Sequence, residues 1–366
     1  MTKRREFLRN TLLSTAALSL TPALSLAEST SGEKYRRHKL KHYVWVQPNK
    51  LDTEAGLHTL FQQFSEAGIK GIFIEADSQM HFKIAKKYKL ETHRWIWTLN
   101  RGDADLLKDH PDWYAVSRKG DSCAIKPPYV SYYRWLCPSK PSTLDFLSKE
   151  VNDILSKDYV DGIQLDYIRY CDVILAINLW KKYNIVQTAE LPEYDFCYCD
   201  HCQQKFHEWS GETLSDIEYP QESLSWRHFR YNQVNDIVNH LAKIAKQHGK
   251  PITATGFPTP EVARRLVRQD WTNWNIEAMF PQFYHGFYNE NLRWIGDAVK
   301  EGVHFLNGKF PLYAGIYLPD FKDNQQIQEG IEYALNNGAS GMSFFGKVTP
   351  EVLRALTAAV ENIKRK

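Results

Sequence analysis

Beyond its first 27 residues, the 366-residue chain has no run of about 18 apolar residues, so it offers no membrane-spanning helix. No glycine-rich loop follows its first predicted strand, which weighs against phosphate or dinucleotide binding. No H-E-x-x-H and no close histidine pair occur, which leaves a catalytic metal without the usual ligands. No motif for an organic cofactor is found. Short-period repeats and low-complexity tracts are also missing. Charge of one sign is nearly absent in excess: 46 Lys and Arg face 43 Asp and Glu, a net +3. A basic nucleic-acid binder is therefore not the expected class. What is present is aromatic. The chain carries 11 Trp, 20 Tyr and 18 Phe, 13% of its residues, more than a core needs. Some of these rings must line a surface or cleft. An apolar content of 43% supports a sizeable core.

The first residues form a leader. Lys3, Arg4, Arg5 and Arg9 come first, an uncharged stretch runs from Thr11 to Ala27, and Ser25 and Ala27 stand at signal-peptidase spacing. Arg4-Arg5 followed by Phe7-Leu8 resembles a twin-arginine export motif, set against an ordinary secretory leader with two chance arginines. Residues 1–27 are expected to be this signal, 28–38 a polar, flexible tether, and 39–366 one barrel domain. An exported protein, periplasmic or extracellular, is the expectation. The leader holds four basic residues against Glu6, so cleavage would leave 42 basic and 42 acidic side chains, a neutral chain.

From Lys41 onward, short apolar runs alternate with helical patterns. Strands are predicted at His42–Val46, Gly71–Glu75, His93–Leu99, Asp161–Asp166, Ile252–Gly256, Ala278–Phe283, Leu312–Tyr317 and Gly341–Phe345. Helices are predicted at Glu54–Ala67, Leu144–Leu155, Trp226–Gln247, Asn291–Glu301, Gln325–Asn336 and Glu351–Ile363. Gly68, Gly249, Gly302 and Gly338 stand where helices should stop. Eight such units predict a (β/α)8 TIM barrel, ahead of an open doubly wound sheet. The connections after strands three and four, Arg101–Ser142 and Tyr167–Pro220, are long. They leave the strand ends where barrels build active sites.

Strand four reads Asp161-Gly162-Ile163-Gln164-Leu165-Asp166-Tyr167-Ile168-Arg169-Tyr170. Alternation turns Ile163 and Leu165 to the helices and Asp166 into the barrel mouth. A carboxylate there reads as catalytic or substrate-contacting, against a structural pairing with Arg169. Arg169 would hold Asp166 ionised or bind substrate hydroxyls. Asp161, at the opposite end, is expected to be structural.

This segment resembles strand four of the glycosyl-hydrolase-like-10 barrel proteins, which show D-G-I-H-x-D-Y. His110-Pro111-Asp112-Trp113 and Trp135-Leu136-Cys137-Pro138 also resemble that family, over roughly Tyr43 to Tyr170. The resemblance implies a glycoside hydrolase acting on a poly- or oligosaccharide. The chitinase-type motif D-G-x-D-x-D-x-E is not met, because its final position is Ile168.

Glycoside hydrolysis normally takes two carboxylates. Candidates for the second are Glu75 first, Asp320 after strand seven, then Asp77, with Glu75 and Asp77 expected on the face of Phe73. Asp166 is then the nucleophile or base and its partner the acid. Trp45, Gln47, Trp97, Asn100, Gln282, Tyr284, His285, Tyr313 and Tyr317 fall near the catalytic face. Rings would stack on sugar C–H faces and amides would hold hydroxyls. About half of these residues are expected to be core packing. The alternative function is a carbohydrate-binding barrel without catalysis.

The six cysteines are Cys123, Cys137, Cys171, Cys197, Cys199 and Cys202. The run Cys197-Tyr198-Cys199-Asp200-His201-Cys202 can converge on one tetrahedral zinc. Cys171 is the expected fourth ligand, with His207 and Cys137 as alternatives. Disulfides are the competing reading for an exported chain. The run, with Phe206 after it, also resembles the structural-zinc loop of glycoside hydrolase family 42 β-galactosidases. Those enzymes use an Asn-Glu pair after strand four that this chain lacks.

Overall fold

A computed structural model describes residues 40–365; the expected leader and tether lie outside the described residues. Eight strands form: β1 (His42–Val46), β2 (Ile69–Ile74), β3 (Glu91–Trp97), β4 (Gly162–Asp166), β5 (Ile252–Gly256), β6 (Ala278–Pro281), β7 (Ala314–Tyr317) and β8 (Met342–Phe345). Every strand pairs in parallel with its neighbour in sequence from β1 to β6, β7 pairs with β8, and β8 closes on β1. The last joint, β6 to β7, is made by two isolated parallel bridges, Met279–Leu312 and Gln282–Gly315. The result is a nearly closed (β/α)8 TIM barrel. No described helix is long and apolar enough to cross a membrane.

Helices fill the connections: α1 (Glu54–Glu66), α2 (Gln79–Lys87), α3 (Ala104–Asp109), α4 (Pro141–Leu155), α5 (Trp180–Tyr183) and α6 (Asp200–Ser210). They continue with α7 (Leu224–Gln247), α8 (Pro260–Val267), α9 (Leu292–Leu306), α10 (Asn324–Asn336) and α11 (Pro350–Arg365). Their local causes are ordinary. Thr53 caps α1 by accepting from the Gly56 N–H, and Leu57, Phe61 and Phe64 recur at helical spacing to bury one face. Thr259 caps α8 and Pro260 fills its first turn. Gly68, Gly249 and Gly338 stand just past helix ends at positive φ, as expected.

Gly302 does not end its helix. α9 runs through it to Leu306. A Cβ at Gly302 would sit 2.8 Å from Leu312 Cδ1 and 3.4 Å from the Trp271 ring. The residue lets a helix approach the barrel wall closely, a constraint that looks like a stop signal in sequence.

Inside the barrel, aromatic rings supply the packing. Tyr43 stacks on Phe73 at 5.3 Å, and Phe280 stacks on Tyr313 at 4.9 Å. Trp45 and Trp95 complete this cluster, with Trp97 and Phe345 packed against it. Val44, Ile72, Ile163 and Leu165 face outward into a separate apolar layer shared with the helices. The segments 98–140 and 167–223 form the two long inserts, and α3, α5 and α6 lie within them.

Candidate active site and cysteine centre

Asp166 ends β4 directly beside Trp97 of β3 and is 8% exposed. Its Oδ2 accepts a hydrogen bond from Trp95 Nε1 at 3.0 Å, and its Oδ1 accepts from the Tyr167 N–H at 2.7 Å. The second donor is available because Tyr167 turns the chain at φ 48°. Burial pushes the Asp166 carboxyl up to about 6, against the pull of those two donors. The charge of Glu75 adds to the rise and that of Arg169 opposes it.

Arg169 does not pair with Asp166. Its Nη1 donates to Asp172 Oδ2 and to the Tyr170 carbonyl, both at 2.9 Å. Its guanidinium lies 4.8 Å from the Trp135 and Phe257 ring centres and 5.4 Å from that of Tyr167. The side chain is thus fixed in a cage of rings beside the site.

The three candidate partner carboxylates separate. Glu75, just after β2, is half-buried and accepts from Gln47 Nε2 at 2.9 Å. Asp320, after β7, accepts from the Gly286 N–H at 3.2 Å, and burial raises its pKa. A Cβ on Gly286 would fall 2.6 Å from the Asp320 carboxyl carbon, so a side chain here would displace Asp320 from this position. Asp77 is engaged elsewhere: it pairs with Lys157 and accepts from the Tyr159 hydroxyl at 2.6 Å. β2 ends at Ile74, so the alternation that would set Asp77 on the face of Phe73 stops before it. Asp161 is structural, accepting from the Thr92 N–H and hydroxyl and pairing with Lys86.

Of the predicted rings and amides, Trp45 and Tyr313 pack in the barrel interior. Tyr284 and Tyr317 face each other at 5.5 Å and both meet Phe345. Burial raises the Tyr284 phenol pKa well above its usual value, and the charges of Asp166 and Asp320 add to the rise. Trp97 packs on Tyr167 at 4.7 Å and on Tyr132 at 6.2 Å, and its Nε1 is buried without a partner. Asn100 accepts from the Arg134 N–H, and its amide nitrogen is buried without a partner. Gln282 bridges to Gly315 at the β6–β7 joint. His285 packs against Phe321 at 4.8 Å; burial lowers its imidazole pKa, and its Nδ1 has no partner.

Two participants were not visible in the sequence: Trp95, which anchors Asp166, and Tyr132, brought to Trp97 by the first insert. Trp95 alternates in phase with Trp97 along β3, a signal that could have flagged it.

The cysteine cluster differs from the first expectation in one member, with Cys137, one of the alternatives, in the place of Cys171. The Sγ atoms of Cys137, Cys197, Cys199 and Cys202 all lie within 4.8 Å of one another and all four residues are buried. Cys137 Sγ is 3.8 Å from that of Cys199 and 3.3 Å from that of Cys202. Cys171, the expected fourth member, is not in this group; its Sγ contacts the Asp172 carbonyl at 3.7 Å. The reason is topological: Tyr114–Leu136 bridging folds the first insert back, carrying Cys137 beside the loop of the second. His207 is also outside, contacting the Glu212 carbonyl. No disulfide joins any of the six cysteines. A zinc tetrahedron with 2.3 Å bonds has S···S edges of about 3.8 Å, so this donor set fits a closed structural site.

A family model described as glycosyl hydrolase-like 10 matches residues 78–304. No curated protein matches the sequence. Among solved structures, the PgaB (BpsB) glycoside hydrolase domain from Bordetella bronchiseptica aligns with a TM-score of 0.63 at 10% identity, covering 88% of this chain and 97% of that one. The β-galactosidase of the psychrophilic Marinomonas ef1 aligns with a TM-score of 0.59 at 12% identity, covering 89% and 60%. The β-amylase catalytic domain of Paenibacillus polymyxa gives 0.58 at 11%, covering 88% and 98%. At such identities these likenesses concern the fold.

Proposed function

The chain belongs to the glycosyl hydrolase-like 10 family, and from that premise we propose that it is an exported glycoside hydrolase acting on a poly- or oligosaccharide. The observation that carries the reading is Asp166: a buried carboxyl at the mouth end of β4, fixed through both oxygens by Trp95 Nε1 and the Tyr167 N–H, beside Trp97. Strand position alone suggested a nucleophile or base. Burial favours the other half of the chemistry, because a carboxyl titrating near 6 can hold a proton for the leaving oxygen at near-neutral pH.

Glu75 is the first choice for the second carboxylate, since it follows directly on the end of β2, two strands from β4 on the same side of the barrel. It would act as nucleophile or as base toward water. Asp320, after β7 and held by the Gly286 N–H, is the second choice. Trp97, Tyr132 and Tyr317 would stack on sugar rings, and Asn100 and His285 have unpartnered nitrogens suited to hydroxyls. Asp77 and Arg169 are assigned structural partners instead. The leader supports export, and a structural zinc held by Cys137, Cys197, Cys199 and Cys202 would tie the two inserts together.

The test is turnover on a panel of polysaccharides and aryl glycosides by wild type, Asp166→Asn, Glu75→Gln and Asp320→Asn. Activity in wild type that falls about 10²- to 10⁴-fold in Asp166→Asn is expected. Binding without turnover in every protein would sink the enzyme and leave a carbohydrate-binding barrel.

A further inference from the structure

A cluster of guanidinium groups gathers around Asp195 of the second insert, two residues before the cysteine run. Asp195 is completely buried and receives three guanidinium groups. Arg230 Nη1 is 2.5 Å from its Oδ1, Arg118 Nε is 3.4 Å from its Oδ2, and Arg268 Nη2 is 3.9 Å from its Oδ1. Arg268 also pairs with Glu190. Three cations therefore face two carboxylates, with Arg118 partly exposed and Arg230 and Arg268 buried. Burying such a charge is costly unless something nearby balances it.

Of the three guanidiniums, Arg230 has the most unpartnered nitrogens, two against one each for Arg118 and Arg268. Its side chain is fully buried, and its Nε and Nη2 have no hydrogen-bond partner among the described residues. Arg118 spends its two terminal nitrogens on Gln221 and the Glu190 carbonyl, and Arg268 donates to Glu190 and the Arg265 carbonyl. Arg230 instead lies over the Trp226 ring at 5.1 Å and donates to the carbonyl of Phe196 at 3.1 Å. Phe196 immediately precedes Cys197.

The cysteine centre gathers charge of the opposite sign. Four thiolates around a divalent cation carry a net charge of −2, and all four residues are buried. The Val116 N–H donates to Cys197 Sγ at 3.2 Å, and the Ser139 hydroxyl is 3.3 Å from Cys202 Sγ, but neither brings a charge. We propose that Arg230 is the positioning and charge-balancing residue of the four-cysteine metal centre, coupling the buried Asp195 network to metal binding. This inference rests on the structural-zinc reading. Groups around first ligands typically change metal affinity by about 10- to 100-fold when lost.

The experiment uses the full chain, purified reduced, with zinc as the probe. Zinc per protein is measured, and affinity is obtained by competition with a chromophoric chelator, for wild type, Arg230→Lys, Arg230→Met and Arg268→Met. Arg230→Met should lose about 10- to 100-fold in zinc affinity. Arg230→Lys should lose less, because the charge stays. Arg268→Met touches the same Asp195 but faces Glu190, and should keep wild-type affinity even if its melting temperature falls. Equal affinity in wild type and both Arg230 variants would overturn the inference. So would an equal loss in Arg268→Met and Arg230→Met, which would mark a general loosening of the loop. If Arg230→Met does not fold, an affinity of Arg230→Lys below that of wild type supports the role and an unchanged one overturns it. Wild type with no zinc would instead remove the zinc reading itself, and this inference with it.

Discussion

Asp166 has two donors aimed at it and still titrates high, so small changes around it should be visible in pH profiles. Trp95→Phe removes a hydrogen bond that favours the charged form. The Asp166 pKa should then rise further, and the alkaline limb of activity, where the acid loses its proton, should move to higher pH by up to about one unit. A kcat/KM profile of this variant against wild type checks it, and a shift to lower pH would contradict the assignment. The same carboxyl also has a stability signature. In the folded chain it stays protonated up to about pH 6, whereas an unfolded aspartate ionises near 3.8. The folded state binds more protons between those values, so this group's favourable contribution is complete below about 3.8 and is lost as pH rises through 6. The shift corresponds to roughly 3 kcal/mol. Denaturant unfolding at pH 4 and pH 7 should therefore show Asp166→Asn gaining on wild type by about that amount as pH rises. The residue itself was legible, because alternation along a strand is a strict rule. Its role was not, because burial and the Trp95 contact depend on β3 lying alongside β4.

At the scale of elements, strands β1 and β5 occupy the residues their patterns indicated, and most helices start within a few residues of the predicted positions. The misses have physical causes. α2 and α8 are nine and eight residues long, too short for a periodic signal to stand out. Gly302 signals a close approach rather than an end. Gly302→Ala should accordingly destabilise by about 1–3 kcal/mol through overpacking against Leu312, although alanine is the better helix former. Chemical denaturation measures this, and a stabilised variant would show that the helix yields easily. The cysteine centre was half legible: three ligands sit in one short run, while the fourth comes from 60 residues earlier in the chain. Cys137→Ser should lower bound zinc and melting temperature together, while Cys171→Ser should leave zinc content unchanged. Metal analysis of the two purified proteins separates Cys137 from Cys171 directly.

For the whole molecule, the barrel's walls are uneven. The connections after β3 and β4 build tall inserts, braced where Asn178 Nδ2 donates to the Gly286 carbonyl at 2.8 Å. The turns after β1, β2 and β8 are short. If zinc ties the inserts to each other, removing it under reducing conditions should loosen those walls before the barrel. Limited proteolysis with and without chelator should then cut first within 98–140 or 167–223, and a first cut elsewhere would count against this order. The architecture was readable from alternating elements; the distribution of wall height followed from loop length; the choice of partner carboxylate depends on three-dimensional placement that no local pattern encodes.

The joint between β6 and β7 bears on that last point. Only isolated bridges close it, and Asp320 leaves β7 while its glycine cradle leaves β6. Asp320 therefore spans the molecule's least stitched edge, like a latch across a gap, whereas Asp166 is set in continuous sheet between β3 and β5. Amide hydrogen exchange should be fastest, among strand residues, along 278–281 and 314–317. A glycan that touches both sides of the gap would slow exchange there, so occupancy of the mouth would be readable at its hem.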